Sequence, residues 1–180
     1  GLRVKKIKNR KEVFNGGYGK KIFELINICY QDLYGFSELS EKQIDQYVKL
    51  YLNFVDYDLI TLIEDSTCDN KLVGFGITIP SLQKCRRGRL FPFGWWHILR
   101  ALKFHKTKVV DCLLVGVLPE YRKKGANALL FSDLIPRYVS YGWEWGETQA
   151  EMETNTAVQS QWSELDVTIH KRRRCYKKSL

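Results

Sequence analysis

Long apolar runs are missing from this chain of 180 residues. No stretch approaches the roughly 18 uninterrupted apolar residues that a membrane-spanning helix needs. The opening Gly1-Leu-Arg-Val-Lys-Lys6 also lacks the apolar segment of a secretory leader, so a cytoplasmic location is the expectation. Gly1 in place of Met suggests a cloning scar or an excised fragment, and the latter leaves room for an additional domain. Metal-ligand spacing is absent too. The five cysteines, Cys29, Cys68, Cys85, Cys112 and Cys175, are scattered and show no Cys-x-x-Cys or Cys/His pairing. That pattern excludes a zinc motif and points to reduced thiols. No repeat, linker or low-complexity tract interrupts the chain, so a single domain over residues 1–180 is expected.

What the chain does have is enough apolar material for one full core, with 44% hydrophobic and 13% aromatic residues over this length. Leu2 to Ile7 alternates apolar and basic residues as a half-exposed strand does. Lys20 to Leu33 sets Ile22, Leu25, Ile26, Cys29 and Leu33 on one helical face before Gly35. Ser40 and Gln43 have the spacing of a capping box for a helix presenting Ile44, Val48, Tyr51 and Val55. Leu59 to Glu64 and Lys71 to Ile79 read as two strands around the turn Ser66-Thr-Cys-Asp-Asn70, with Pro80 ending the second. Further strands are expected at Val109 to Val117, Glu147 to Glu153 and Thr168 to Tyr176. A helix from Gly125 to about Ser140 is interrupted by Pro136, which removes the bond to Ser132 and predicts an early stop. The fold class is α/β.

The most informative stretch is Val117-Leu-Pro-Glu-Tyr-Arg-Lys-Lys-Gly-Ala-Asn-Ala-Leu-Leu130, directly after the apolar strand. It reads as a buried strand giving way, through a turn, to a helix whose first residues include Gly125 and a cluster of positive charge. A helix start of this kind carries N–H groups without internal partners and the positive end of the macrodipole, so it attracts phosphate oxygens.

The spacing Arg122, Gly125, Asn127, Ala128 resembles the coenzyme-A pyrophosphate loop of the GCN5-related N-acetyltransferase superfamily. That pattern runs Arg or Gln, two residues, Gly, one residue, then Gly or Ala; here Asn127 takes the last small position, with Ala128 one step later. Pro119 just past the strand and the segment from Glu153 to Val167, in which Asn155 opens a helix, resemble further segments of the superfamily, with its bacterial members of unassigned substrate. The resemblance implies a mixed, largely antiparallel central sheet flanked by helices, and transfer of an acetyl or other acyl group from coenzyme A to an amine.

It also implies roles for individual residues. Backbone groups at Val115, Gly116 and Val117 would pair with the pantetheine arm, and Gly116 suits a β-bulge there or simply allows close packing. Main-chain N–H groups across Lys123, Lys124, Gly125, Ala126, Asn127 and Ala128, aided by Arg122, would cradle the pyrophosphate. Asn155 would reach the cofactor's amide chain or cap its own helix. Asp111 stands where some members carry a catalytic Glu; strand alternation puts it with Leu113 and Val115 on one face, and its apolar neighbours favour desolvation and a raised pKa. It is the base that takes the amine proton, an exposed strand-start residue, or a partner of a nearby lysine. Trp162 holds the place of the superfamily's usual Tyr acid and cannot donate a proton near neutral pH. Tyr138 and Tyr176 are the other phenols considered.

The stretch Ser81 to Lys108, with Lys84, Arg86, Arg87, Arg89, Trp95 and Trp96, is a basic and aromatic insert. It reads as an acceptor lid, a homodimer interface or a surface helix, and suits a small-molecule or carrier-bound amine or a lipid-like acyl chain. A net charge of +9, concentrated at Lys171-Arg-Arg-Arg174, opens a second class, a non-catalytic or nucleic-acid and anionic-surface binding module.

Overall fold

Helix starts in this chain follow from their capping residues, and the first of them frame the fold. Asn9 accepts the Glu12 N–H at 3.2 Å and opens α1 (Arg10–Phe14). Gly17, in the left-handed region, leads into α2 (Tyr18–Tyr30). The expected capping box is present at α3 (Glu41–Tyr51), where the Ser40 hydroxyl and the Gln43 side chain reciprocate. The structure is a computed structural model and describes residues 1–53, 55–82, 105, 107–163, 165–174, 176 and 178. The aromatic and basic insert expected over Ser81 to Lys108 falls largely outside the described residues.

Five strands form one sheet in the order β1 (Leu2–Lys5), β2 (Ile60–Asp65), β3 (Lys71–Pro80), β4 (Val109–Val117) and β5 (Trp145–Thr148). Neighbours are antiparallel except β4 and β5, which run parallel. This is the mixed, mostly antiparallel sheet flanked by helices that was expected. Between β4 and β5 the chain forms a 3₁₀ turn at Pro119–Tyr121 and α4 (Ala126–Ser140). β2 is buried along its whole length because both faces of the sheet are covered. A Cβ added at Gly76 would lie 3.3 Å from Leu134 of α4, whereas one at Gly116 would meet Phe75 and Cys29, the latter on α2. α2 and α4 therefore pack on opposite faces.

α4 continues through Pro136 to Ser140 instead of stopping early. Its cost is offset by anchoring on both sides of the proline: Leu130 and Leu134 are buried, and Arg137 pairs with Asp133 at 3.0 Å and donates to the Asp58 carbonyl. Asp133 also accepts from Thr61 and pairs with Lys6, tying α4 to the sheet. Leu130, 1% exposed, is the sensitive point of this contact. Leu130→Ala should lower the unfolding free energy by about 2 to 5 kcal/mol in a urea titration, the range for emptying a buried leucine site.

The chain divides into two compact units, Gly1–Gln149 and Ala150–Leu180. In the second, Asn155 opens a short α5 (Thr156–Gln159), followed by a 3₁₀ turn at Ser160–Trp162. The strand expected over Thr168 to Tyr176 is not found: its described residues have no regular secondary structure, and Ile169 is exposed. Four consecutive cations, Lys171 to Arg174, interrupt the alternation and repel one another, so no apolar face is left to bury.

Candidate functional site

β4 is a strand with two different partners along its length. Against β5 it pairs only from Val109 to Cys112, in register with Trp145 to Thr148. Against β3 it remains paired as far as Val117. Beyond Cys112 one edge of β4 has thus been left by its parallel neighbour. Gly116 and Leu114 lie opposite Phe75 and Ile77, and the Leu118 N–H donates to the Val73 carbonyl at 2.9 Å. Antiparallel alternation then turns the main-chain groups of Val115 and Val117 away from β3 and toward the opened edge.

The strand irregularity falls elsewhere than expected. Register shifts between Ile77 and Thr78, which pair with Leu114 and Cys112, so Leu113 is the extra residue of a bulge. Gly116 is instead a close-packing position, since an added Cβ would come within 2.5 Å of the buried Phe75 ring. Gly116→Ala should therefore cost about 1 to 3 kcal/mol by overpacking, measurable as a fall in the midpoint of denaturant unfolding. The bulge also corrects the face expected for Asp111. Asp111 pairs with Ile79, which alternates with Ile77 and Phe75 on the α2 side, so Asp111 shares that face with Leu114 and Gly116 and not with Val115.

Asp111 is half-buried, with Oδ1 shielded from solvent. Its register partner across the parallel seam is Glu147, also half-buried, so two carboxylates stand side by side on one face. Glu147 went unnoticed in the sequence because only the pairing of β4 with β5 brings it to Asp111. Tyr138 lies on the other face, where its ring packs 5.6 Å from Trp143, and burial raises its pKa. Cys112 is on that opposite face as well, paired with Thr78.

Past the end of β4 the chain turns tightly. Tyr121 is buried and donates to Asp65 at 2.9 Å, while the ammonium groups of Lys124 and Lys71 lie 4.7 and 5.9 Å from its ring centre. The Tyr121 hydroxyl pKa is raised, first by its bond to Asp65. Arg122 turns back on the protein, donating through Nε to the Val117 carbonyl at 3.2 Å and toward the Cys29 carbonyl at 3.5 Å. Burial pushes the Cys29 thiol up to about 11. Lys123 and Gly125 both have positive φ, 69° and 82°, giving the alternating turn that directs successive N–H groups to one side.

α4 then begins with no side chain capping it. Its first internal bond runs from the Leu129 N–H to the Gly125 carbonyl at 3.1 Å, which leaves the N–H groups of Ala126, Asn127 and Ala128 ahead of it. Lys124 is withdrawn from the expected cradle, because its N–H donates to the Tyr121 carbonyl at 3.2 Å. A Cβ on Gly125 would meet nothing within 4 Å, so the space beside this helix start is open.

Within the second unit, Asn155 caps α5, accepting the Val158 N–H at 3.3 Å. Trp162 donates its indole N–H to Glu151 at 2.9 Å, and Tyr176 is exposed. Among the described residues no group of His, Cys, Asp and Glu is arranged to hold a metal ion, and no helix is long and apolar enough to cross a membrane.

A second residue that the sequence did not single out lies at the opened edge. Tyr30, the last residue of α2, donates its hydroxyl to the Val115 carbonyl at 2.9 Å and packs edge-on against Phe36. The two residues joined by this bond are 85 apart in sequence.

No family model matches the chain. Among curated proteins it is 24% identical over 164 residues to a bacterial ceramide synthase from Caulobacter vibrioides, and 25% identical over the same length to protein YghO from Escherichia coli. Each match covers 87% of this chain but only 42% and 41% of the relative, so the chain spans about two fifths of their length. Solved structures with the same fold include the aminoglycoside 6'-N-acetyltransferase AAC(6')-Ih from Acinetobacter baumannii, with a TM-score of 0.58 at 12% identity and coverage of 100% of this chain and 99% of that one. AAC(6')-Iy, solved with the bisubstrate analogue CoA-S-monomethyl-acetylneamine, gives a TM-score of 0.56 at 15% identity, with coverage of 100% and 99%.

Proposed function

Because the chain has the fold of the GCN5-related N-acetyltransferases, we propose that it is an N-acyltransferase that moves an acyl group from coenzyme A to an amine. The observation that carries this reading is the continuity of donors: the opened edge of β4 at Val115 and Val117 leads into an uncapped helix start at Ala126 to Ala128. A coenzyme-A thioester offers a pyrophosphate, two amides and a reacting carbonyl in that linear order. The pyrophosphate takes the helix N–H groups and the macrodipole, and the pantetheine arm takes the strand edge. Arg122 supports the loop from within through its bond to Val117 and adds positive charge beside it.

In this reading the thioester carbonyl comes to rest near the Leu113 bulge and the amine arrives beside Asp111. The amine nitrogen attacks the carbonyl carbon, the new C–N bond forms, and the C–S bond breaks. Asp111 takes the proton that the nitrogen loses, and the electron pair of the broken bond stays on sulfur as the coenzyme-A thiolate, which is protonated from solvent. Much of the rate comes from holding the two reactants together.

The acceptor proposed is an amine on a lipid-like molecule. Support comes from the likeness to a ceramide synthase, since a ceramide is a fatty amide, and from the aromatic and basic insert at residues 81–108. Some of the positive charge of the chain is taken up in internal ion pairs, such as Lys5 with Glu12 and Lys71 with Glu120, and the remainder favours polyanionic coenzyme A. Calorimetric titration with acetyl-CoA and palmitoyl-CoA tests the reading, followed by thiol release in the presence of a long-chain amino alcohol. Saturable binding and amine-dependent release are expected; absence of heat with both thioesters would overturn the proposal.

A further inference from the structure

Tyr30 sits where the proposed pantetheine arm would pass. Its ring is held by Phe36 at a centroid distance of 6.1 Å, and its hydroxyl proton is committed to the Val115 carbonyl at 2.9 Å. A phenol that donates in this way still has acceptor lone pairs on oxygen. Val115 lies beyond Cys112, the last residue of β4 paired with β5, so the phenol oxygen joins the main-chain groups of an edge that β5 does not cover. The phenol thereby stands between the main-chain carbonyl and whatever occupies the edge. Burial pushes the Tyr30 hydroxyl up to about 12, which keeps it neutral through the physiological range and leaves it able to donate and accept at once.

We infer that Tyr30 is a binding residue for acyl-coenzyme A, its hydroxyl oxygen accepting an amide N–H of the pantetheine arm in place of the Val115 carbonyl that it covers. This inference rests on the function proposed above. It assigns the edge a side-chain acceptor, carried on α2, in addition to its main-chain groups. The Val115 N–H is directed to the same gap and donates to the carbonyl of the same amide or its neighbour, so donor and acceptor come from different elements. The arm is thus read jointly by β4 and by the end of α2.

The alternative role for this contact is a plug: a hydroxyl that satisfies Val115 only when the edge is empty and must be displaced by the ligand. The two roles give opposite signs on deletion of the hydroxyl. Tyr30→Phe keeps the ring on Phe36, and ADP, which has the pyrophosphate but no pantetheine, reports whether the phosphate loop remains intact. With calorimetry on wild type and variant, the expected result is unchanged ADP affinity and acetyl-CoA affinity reduced about five-fold, the effect of one neutral hydrogen bond. Equal or tighter acetyl-CoA binding by Tyr30→Phe, with ADP unchanged, would overturn the inference and leave the acyltransferase reading standing. If the wild-type chain binds neither ligand, the cofactor site itself falls, and this inference with it.

Discussion

Gly125→Glu should abolish measurable acetyl-CoA binding, a loss of at least about 100-fold, while leaving the chain folded. Two effects act together. Gly125 has φ of 82°, a conformation that side-chain-bearing residues adopt at a cost of about 1 to 2 kcal/mol. The larger effect is electrostatic. A side chain at this position projects into open space beside the N–H groups of Ala126, Asn127 and Ala128. The Glu carboxylate is well placed to take those donors, and a negative charge near a helix N-terminus is itself favourable. It therefore competes with the phosphates for the same groups and repels them, without any clash inside the protein. Gly125→Ala separates the contributions, since it carries the backbone cost alone and should weaken binding by no more than about thirty-fold, a loss of about 2 kcal/mol. Calorimetry on the three proteins, with thermal unfolding as the control for folding, measures both effects. Equal heats for wild type and Gly125→Glu would remove the helix start from the site.

Asp111→Asn should reduce turnover by about 10² to 10⁴ and leave the acetyl-CoA dissociation constant nearly unchanged, as expected for loss of a general base that touches the amine and not the cofactor. Asn keeps the size of the side chain and its hydrogen-bonding capacity but cannot take a proton. The neighbouring carboxylate makes a comparison available. Glu147 is in register with Asp111 on the same face, and Glu147→Gln alters the electrostatics of the pair without removing the proposed base. Its effect on turnover should be the smaller of the two. A stopped assay of thiol release at saturating acetyl-CoA distinguishes these cases, and unaltered turnover in Asp111→Asn would dismiss it as the base.

Much of the frame was readable from local signals. The apolar run Val109 to Val117 is a strand with those same bounds, the Ser40 and Gln43 pair forms its capping box, and Gly125 opens a helix that ends at Ser140. These features are set by residues within a few positions of one another. What escaped notice depends on partners far away in the chain. The bulge at Leu113 exists because of how β4 meets β3 around Ile77 and Thr78, and nothing in Val109 to Val117 marks it. Gly116 is read correctly only when Phe75 is beside it. Tyr30 becomes part of the site through a single hydroxyl reaching β4, and Glu147 through the parallel seam. Pro136 was a valid local warning that tertiary anchoring of α4 overrides. At Thr168 to Tyr176 the reverse holds: the residues at either end suit a strand, but the intervening cations do not.

Leu113 is a surplus residue in β4. A strand keeps a rhythm of two, and one surplus residue shifts its phase by half a period. Below that point β4 belongs to the scaffold, stitched to neighbours on both sides; above it, the side chains change faces and one border is released. Deleting Leu113 would make Cys112 and Leu114 successive opposite Thr78 and Ile77, an unbroken ladder in which every side chain keeps its present face. What the surplus residue adds is a local kink and extra twist between Asp111 and the border at Val115 and Val117, just where β5 lets that border go.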